Sequence, residues 1–331
     1  NDVVLGNALL DMYAKCGALA KTKRTFEEFS VRDLVSWNSL ITGYASQGRV
    51  DEALFYIEMM QIEGLFPDAV TYISILKECG STQRIDMGEQ IHDDIVDTSL
   101  LEKNIILGNA LVDMYTKCGM LLKAQQVLED LPFRDVITWN ALISGYAQQG
   151  QGHEALNSYE KMQRENLAPN EVTFTCMLKA CGSIGAINKG REIHDQIIDE
   201  GLLGKTIVLG NALVDMYAKC GDLAKARCVV NDLPSRNVVS WNVIIKGCAQ
   251  DGQGEEALVC FGIMQEDGVY PDAVTFLSLL YACSHSGLVN EAEMCFIDMN
   301  KRYGLLPDLD HFTCMVDLFG RAGHIEKAIG I

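Results

Sequence analysis

No apolar run in this chain reaches the roughly 18 residues that a membrane-spanning helix needs, because Gly, Asp or Lys interrupts each one first. No charged, apolar and small-residue segments follow one another at the start, so no secretory leader is legible. Cysteine is plentiful at 12, yet no C-x-x-C pair and no zinc-ligand spacing occurs among the 331 residues. That scatter excludes a small disulfide scaffold and fits a reducing compartment better. Positive charge is scarce: 27 Lys and Arg face 45 Asp and Glu, for a net charge of -18. Nucleic acid held by bulk electrostatic attraction is thereby disfavoured, since it depends on clustered cations that release counterions. Against these absences stands a hydrophobic fraction of 48%, which excludes a disordered chain and suffices for a sizeable core.

The few tryptophans reveal the organisation. Trp37, Trp139 and Trp241 lie 102 residues apart, and Cys79, Cys181 and Cys283, like His92 and His194, keep that offset. Residues 3–17, 105–119 and 207–221 are nearly the same text. A fixed period of this kind marks a repeat architecture. Three periods cover residues 3–308 without a linker, and a fourth begins at Leu309. Each divides into related parts of 31, 35 and 36 residues: 3–33, 34–68 and 69–104, then 105–135, 136–170 and 171–206, then 207–237, 238–272 and 273–308. A tenth, partial repeat spans 309–331, so residues 1–331 read as one array with no second domain.

Each repeat reads as a helical hairpin. Trp37, Leu40, Ile41 and Tyr44 follow the spacing of one helical face, Gly48 breaks it, and Val50, Ala53, Leu54, Ile57 and Met60 resume it. A glycine holds the fifteenth place in nine of the ten repeats, where a turn between helices calls for positive φ. All 6 prolines lie near repeat ends, outside the helical runs. A lone hairpin cannot bury both of its apolar faces, so the expected fold is all-α, an α-solenoid superhelix of stacked helix-turn-helix repeats.

Repeats of these lengths, with text such as Val-Ser-Trp-Asn-Ser-Leu-Ile-Thr-Gly-Tyr (35–44) and Asn-Ala-Leu-Val-Asp-Met-Tyr (109–115), resemble the P, L and S motifs of plant PLS-class pentatricopeptide repeat (PPR) proteins. The resemblance covers essentially the whole chain. It implies binding of single-stranded RNA, one base per repeat, as the recognition module of a factor directing cytidine-to-uridine RNA editing in a mitochondrion or chloroplast. The segment Ala273–Gly323 is similar to the last L and S motifs before the family's C-terminal extension, and the chain stops before that extension.

In this family the fifth and last residues of a repeat read the base. Carried onto the S and P repeats, the pairs are Asn7 with Asp33, Asn38 with Asp68, Asn109 with Asp135, Asn140 with Asn170, Asn211 with Asn237, and Asn242 with Asp272. Asn is a mediocre helix former, so six at one place call for an explanation. Helix capping is one, weakened because another Asp or Asn already stands just before five of these six repeats. Base reading is the other: a carboxylate accepts hydrogen bonds only, which suits uracil N3–H, whereas an amide can present either polarity. The family code agrees, with uracil for Asn and Asp and a pyrimidine, often cytosine, for Asn and Asn. The second residues Val4, Val35, Ile106, Ile137, Val208 and Val239 read as core when taken alone, and the resemblance makes them clasps for the bases.

The L repeats carry Ile73 with Asn104, Thr175 with Thr206, and Leu277 with Asp308. An aliphatic fifth residue offers a base edge nothing, so these read as spacers, which in the family help dock small accessory editing factors. Thr313 points to a purine, its partner lies beyond the chain, and Asp310 breaks the clasp pattern. Lys15, Lys117, Lys219 and Arg321 hold the thirteenth place of the S repeats, either as helix-end cations complementing the dipole or as phosphate contacts.

Catalytic chemistry is not legible. His324-Ile-Glu326 fits half of a cytidine deaminase signature, but no P-C-x-x-C follows it. His92 and His194 read as packing or pairing residues rather than metal ligands. No phosphate loop or nucleophile elbow occurs. The expectation is a non-enzymatic, cofactor-free binder of pyrimidine-rich RNA, with any deaminase supplied from outside the chain. The rival is a tetratricopeptide-like protein scaffold, against which the unequal repeat lengths argue, since such arrays keep 34 residues.

Overall fold

The computed structural model describes residues 3–29 and 31–330; Ile331, in the partial tenth repeat, lies outside them. Their regular structure is helical apart from one isolated bridge between Leu203 and Thr206. Internal contacts define two compact units, Asn1–Gln149 with Glu154–Ala168, and Gly150–His153 with Pro169–Ile331.

The first unit holds α1 (Val3–Lys15), α2 (Leu19–Glu27), α3 (Leu34–Ala45), α4 (Val50–Ile62), α5 (Ala69–Thr82), α6 (Ile85–Asp97), α7 (Ile105–Lys117), α8 (Leu121–Asp130), α9 (Val136–Gln148) and the body of α10 (Gly152–Arg164). The second holds α11 (Glu171–Ile184), α12 (Ile187–Asp199), α13 (Ile207–Lys219), α14 (Leu223–Asp232), α15 (Val238–Gln250), α16 (Gly254–Glu266), α17 (Ala273–Ser286), α18 (Val289–Lys301), α19 (Leu309–Arg321) and α20 (Ile325–Gly330). Every repeat thus contributes two helices, the first odd-numbered and the second even. The all-α, stacked-hairpin reading holds.

Turn chemistry sets the hairpins. Gly119 and Gly150 sit at φ 77° and 72° between paired helices, and in the one repeat without a turn glycine Gln83 takes the left-handed conformation at φ 56°. Within each unit every odd helix packs on the next odd helix, while α2, α4, α6, α8, α12, α14, α16 and α18 each pack on their own partner and the following odd helix. The core lies between these two rows: Trp37, Trp139, Trp241, Tyr115 and Tyr217 are all buried. The α1–α3 crossing is so close that a Cβ on Gly43 would lie 2.8 Å from the Cβ of Ala14. One row of odd helices therefore presents a continuous outer face in each unit.

Candidate nucleic-acid interface

That face begins at the helix N-termini. Asp33, Asp68, Asp135, Asn170, Asn237 and Asp272 are the N-caps of the odd helices that follow them, each accepting a hydrogen bond from the backbone N–H three residues on, at 2.8 to 3.1 Å. Ser36, Thr71, Thr138, Thr173, Ser240 and Thr275 complete the reciprocal box by accepting from the cap's own N–H.

The cap is also where the fifth residue of the preceding repeat arrives. Asn38 Nδ2 donates to Asp68 at 3.1 Å, Asn109 to Asp135 at 3.2 Å, Asn211 to Asn237 at 3.4 Å and Asn242 to Asp272 at 3.0 Å. Asn7 donates to both carboxylate oxygens of Asp33 at 3.1 Å. These are five of the six expected pairs; the sixth, Asn140 with Asn170, is divided between the two compact units. The amide oxygens are engaged too. Thr138 donates its hydroxyl hydrogen to Asn109 Oδ1 at 2.5 Å, Ser240 to Asn211 and Thr275 to Asn242 at 2.6 Å, and Thr71 donates to Asn38. A hydroxyl on one side and a carboxylate on the other leave only one favourable amide orientation. In the first repeat this hydroxyl is missing from the network: Ser36 donates to the Asp33 carbonyl, and Asn7 Oδ1 is buried with no partner among the described residues. Burial raises the pKa of Asp33 and Asp272, but the hydrogen bonds from backbone and Asn amide outweigh it and lower both.

The expected clasp residues are not core. Val4, Val35, Ile106, Ile137, Val208 and Val239 are 48% to 76% exposed, which overturns the burial expected from their chemistry alone. Val70, Val172 and Val274, at the same second place of the L repeats, are exposed as well. A cleft of about 380 Å³ is lined by Val239, Asn242, Asp272, Val274 and Lys219. Val274 also borders the adjoining cleft of about 400 Å³, with Leu277, Tyr281, Asp310 and Thr313. Apolar walls and a polar floor fit a stacked, edge-read planar group. The L-repeat fifth residues Ile73, Thr175 and Leu277 are half-buried. Thr313 is exposed and its hydroxyl hydrogen bonds to the Leu309 carbonyl at 2.8 Å.

The thirteenth-place cations are committed. Lys15 pairs with Asp11 at 2.7 Å, Lys117 with Asp113 at 2.6 Å, Lys219 with Asp215 at 2.7 Å and Arg321 with Asp317 at 3.0 Å, each one turn back on its own helix. These exposed pairs are weak, so a phosphate could displace the carboxylate at small cost. Sequence reading missed them, although Asp four residues before Lys is a visible signal. It also missed the Ser and Thr that orient the Asn amides, which recur three residues after each cap.

His92 and His194 meet tyrosines: each Nδ1 lies 2.9 Å from the hydroxyl of Tyr115 or Tyr217. Burial lowers both imidazole pKa values and pushes both phenols up to about 12. His324 and Glu326 are exposed. Among the described residues no cluster of three His, Cys, Asp or Glu could hold a metal ion, and no helix is long and apolar enough to cross a membrane.

Comparison with known proteins agrees with this geometry. The PPR repeat family pattern matches residues 32–81, 134–183 and 236–285, and the single PPR repeat pattern matches 109–136, 172–202, 211–238, 274–303 and 310–331. A mitochondrial pentatricopeptide repeat-containing protein of Arabidopsis thaliana is 38% identical over 99% of this chain and 47% of its own length. A second from that plant is 37% identical over 98% of this chain and 45% of its length, so the chain spans less than half of these relatives. Among solved structures, the pentatricopeptide repeat protein PPR10 in complex with an 18-nt psaJ RNA element superposes with a TM-score of 0.80 at 19% identity, over 99% of this chain and 49% of that one. Repeat text, capped hairpins, the α-solenoid fold and the extent of these matches place the chain in the pentatricopeptide repeat family.

Proposed function

We propose that the chain binds single-stranded RNA sequence-specifically, one base per repeat, through the S and P repeats. The carrying observation is the recurrent cap-bound Asn pair, set between exposed aliphatics at a fixed place of successive repeats. Residues 1–331 act in this reading as one array of ten repeats. Val4, Val35, Ile106, Ile137, Val208 and Val239 clasp the bases, and Lys15, Lys117, Lys219 and Arg321 exchange their aspartates for phosphates.

The preferred RNA, 5′ to 3′ parallel to the chain, is U-U-N-U-Y-N-Y-U-N-R. The larger role is recognition within an organellar C-to-U editing factor of the PLS class, supported by the unequal repeat lengths and by relatives named as mitochondrial. Deamination is supplied from outside these residues, and accessory editing factors dock at the L repeats. Gel-shift titration at low salt with 5′-UUAUCACUAA-3′, against a scrambled RNA and double-stranded DNA of equal length, tests the binding. Tight binding of the first alone is expected; equal binding of all three, or of none, overturns the reading and favours a protein scaffold.

A further inference from the structure

The interface has a stripe beyond the reading positions. Residues two, five, nine and thirteen of an odd helix lie along one face, because five, nine and thirteen are successive i, i+4 neighbours. In the S repeats the ninth place is always acidic, Asp11, Asp113, Asp215 and Asp317, and it neutralises the cation at the thirteenth. The first two L repeats reverse the sign: their ninth residues are Lys77 and Lys179, one turn beyond Ile73 and Thr175. In the third period the L repeat has Tyr281 there, and the lysine has moved to the ninth place of the neighbouring P repeat, Lys246.

Lys246 lines both adjoining clefts, the one with Asn242 and Asp272 and the one with Leu277 and Tyr281. Each period therefore places a lysine at its L-repeat slot. Lys77, Lys179 and Lys246 are exposed, and none forms a salt bridge among the described residues.

We propose that Lys77, Lys179 and Lys246 are phosphate contacts that carry most of the salt dependence of RNA binding, so that the L repeats hold the strand by its backbone where they cannot read its bases. The inference rests on the single-stranded RNA reading. Its physical core is ion counting. A cation already paired with an aspartate exchanges one carboxylate for one phosphate, and the released carboxylate regains a counterion, so little net ion release results. An unpaired lysine displaces a counterion from the strand outright, contributing about 0.7 to the slope of log K against log salt. The ninth-place lysines thus also supply attraction that the net charge of -18 hides.

The test is a salt titration of 5′-UUAUCACUAA-3′ binding between about 50 and 200 mM monovalent salt, over which one single-strand contact is worth about 2.5-fold in affinity. Lys77→Gln, Lys179→Gln and Lys246→Gln are each expected to flatten the slope by about 0.7, and the triple variant by about 2, which is roughly 20-fold over that range. Lys246→Arg keeps the wild-type slope, base preference stays unchanged in all of them, and Lys117→Gln flattens the slope by much less. If the wild type binds this RNA and the triple variant keeps its slope, or if Lys117→Gln has the larger effect, the inference is overturned while the RNA reading stands. A wild type that binds no single-stranded RNA overturns both.

Discussion

Asn38, Asn109, Asn211 and Asn242 each spend their two polar ends on different neighbours, and that division decides what a base would meet. In the Asn38 and Asp68 pair the cap bond to Thr71 N–H and the bond from Asn38 both fall on Asp68 Oδ1, which leaves Oδ2 as an acceptor suited to uracil N3–H. In the Asn211 and Asn237 pair the same two bonds consume the one amide oxygen of Asn237, which leaves its Nδ2 as a donor suited to cytosine N3. Capping therefore fixes the polarity that sequence alone left open. Asp68→Asn should relax the second RNA position from U towards C by about 1 kcal/mol; an unchanged preference in a binding selection would sink the assignment of register. Another residue-level prediction concerns the two histidines. Burial holds their folded pKa below 6.5, so as the pH falls beneath that value the unfolded chain takes up protons first and stability drops through the folded pKa. The melting temperature should decline from pH 7 to pH 5, and the double variant His92→Gln, His194→Gln should flatten that decline. The spacing of the histidines was readable in the sequence, whereas their tyrosine partners, 23 residues further on, were not.

α3, α5, α9, α11, α15 and α17 owe their start to the Asp or Asn cap and its Ser or Thr partner, and at α5, α9, α15 and α17 the same hydroxyl reaches back to the Asn of the preceding odd helix. Thr138 serves both, bonding the Asp135 cap and Asn109 Oδ1. Thr138→Val should cost about 1 kcal/mol of stability by chemical denaturation, since it breaks the box while leaving the Asp135 cap bond intact. It should also blunt base discrimination at the fourth RNA position more than overall affinity, because the Asn109 amide loses the group that orients it. Affinity lost equally for every base would place Thr138 outside the recognition network. Helix positions and turns were legible because periodicity and the fifteenth-place glycine are local signals. The amide network was not, because its hydroxyls stand 29 or 33 residues away from the Asn they orient. Exposure of Val35 and Val70 was equally hidden: an aliphatic residue in an amphipathic helix carries no mark of the face it leaves unburied.

At the scale of the whole chain, the 102-residue period is the quantity that function would count in. Deleting residues 105–206 removes one complete S, P and L set, and the RNA selected from a random pool should shorten by three positions while keeping its flanking preferences. Loss of all preference would show that the set is not an independent reading segment. The chain by itself should convert no cytidine to uridine, measured by sequencing of bound RNA after prolonged incubation, because His324 and Glu326 stand exposed without the two cysteines a deaminase zinc would need. The caps carry one more consequence. Asp68 closes the repeat 34–68, yet physically it starts the helix of the next, while the Asn38 it meets stands on the odd helix before, α3. No cut through the polypeptide delivers a whole base slot as a portable cassette: severing before Asp68 parts it from Asn38, and severing after it strips α5 of its cap. What would be inherited, shuffled or grafted is a junction between neighbours, so reordering the same ten modules would spell a different message from an unchanged alphabet.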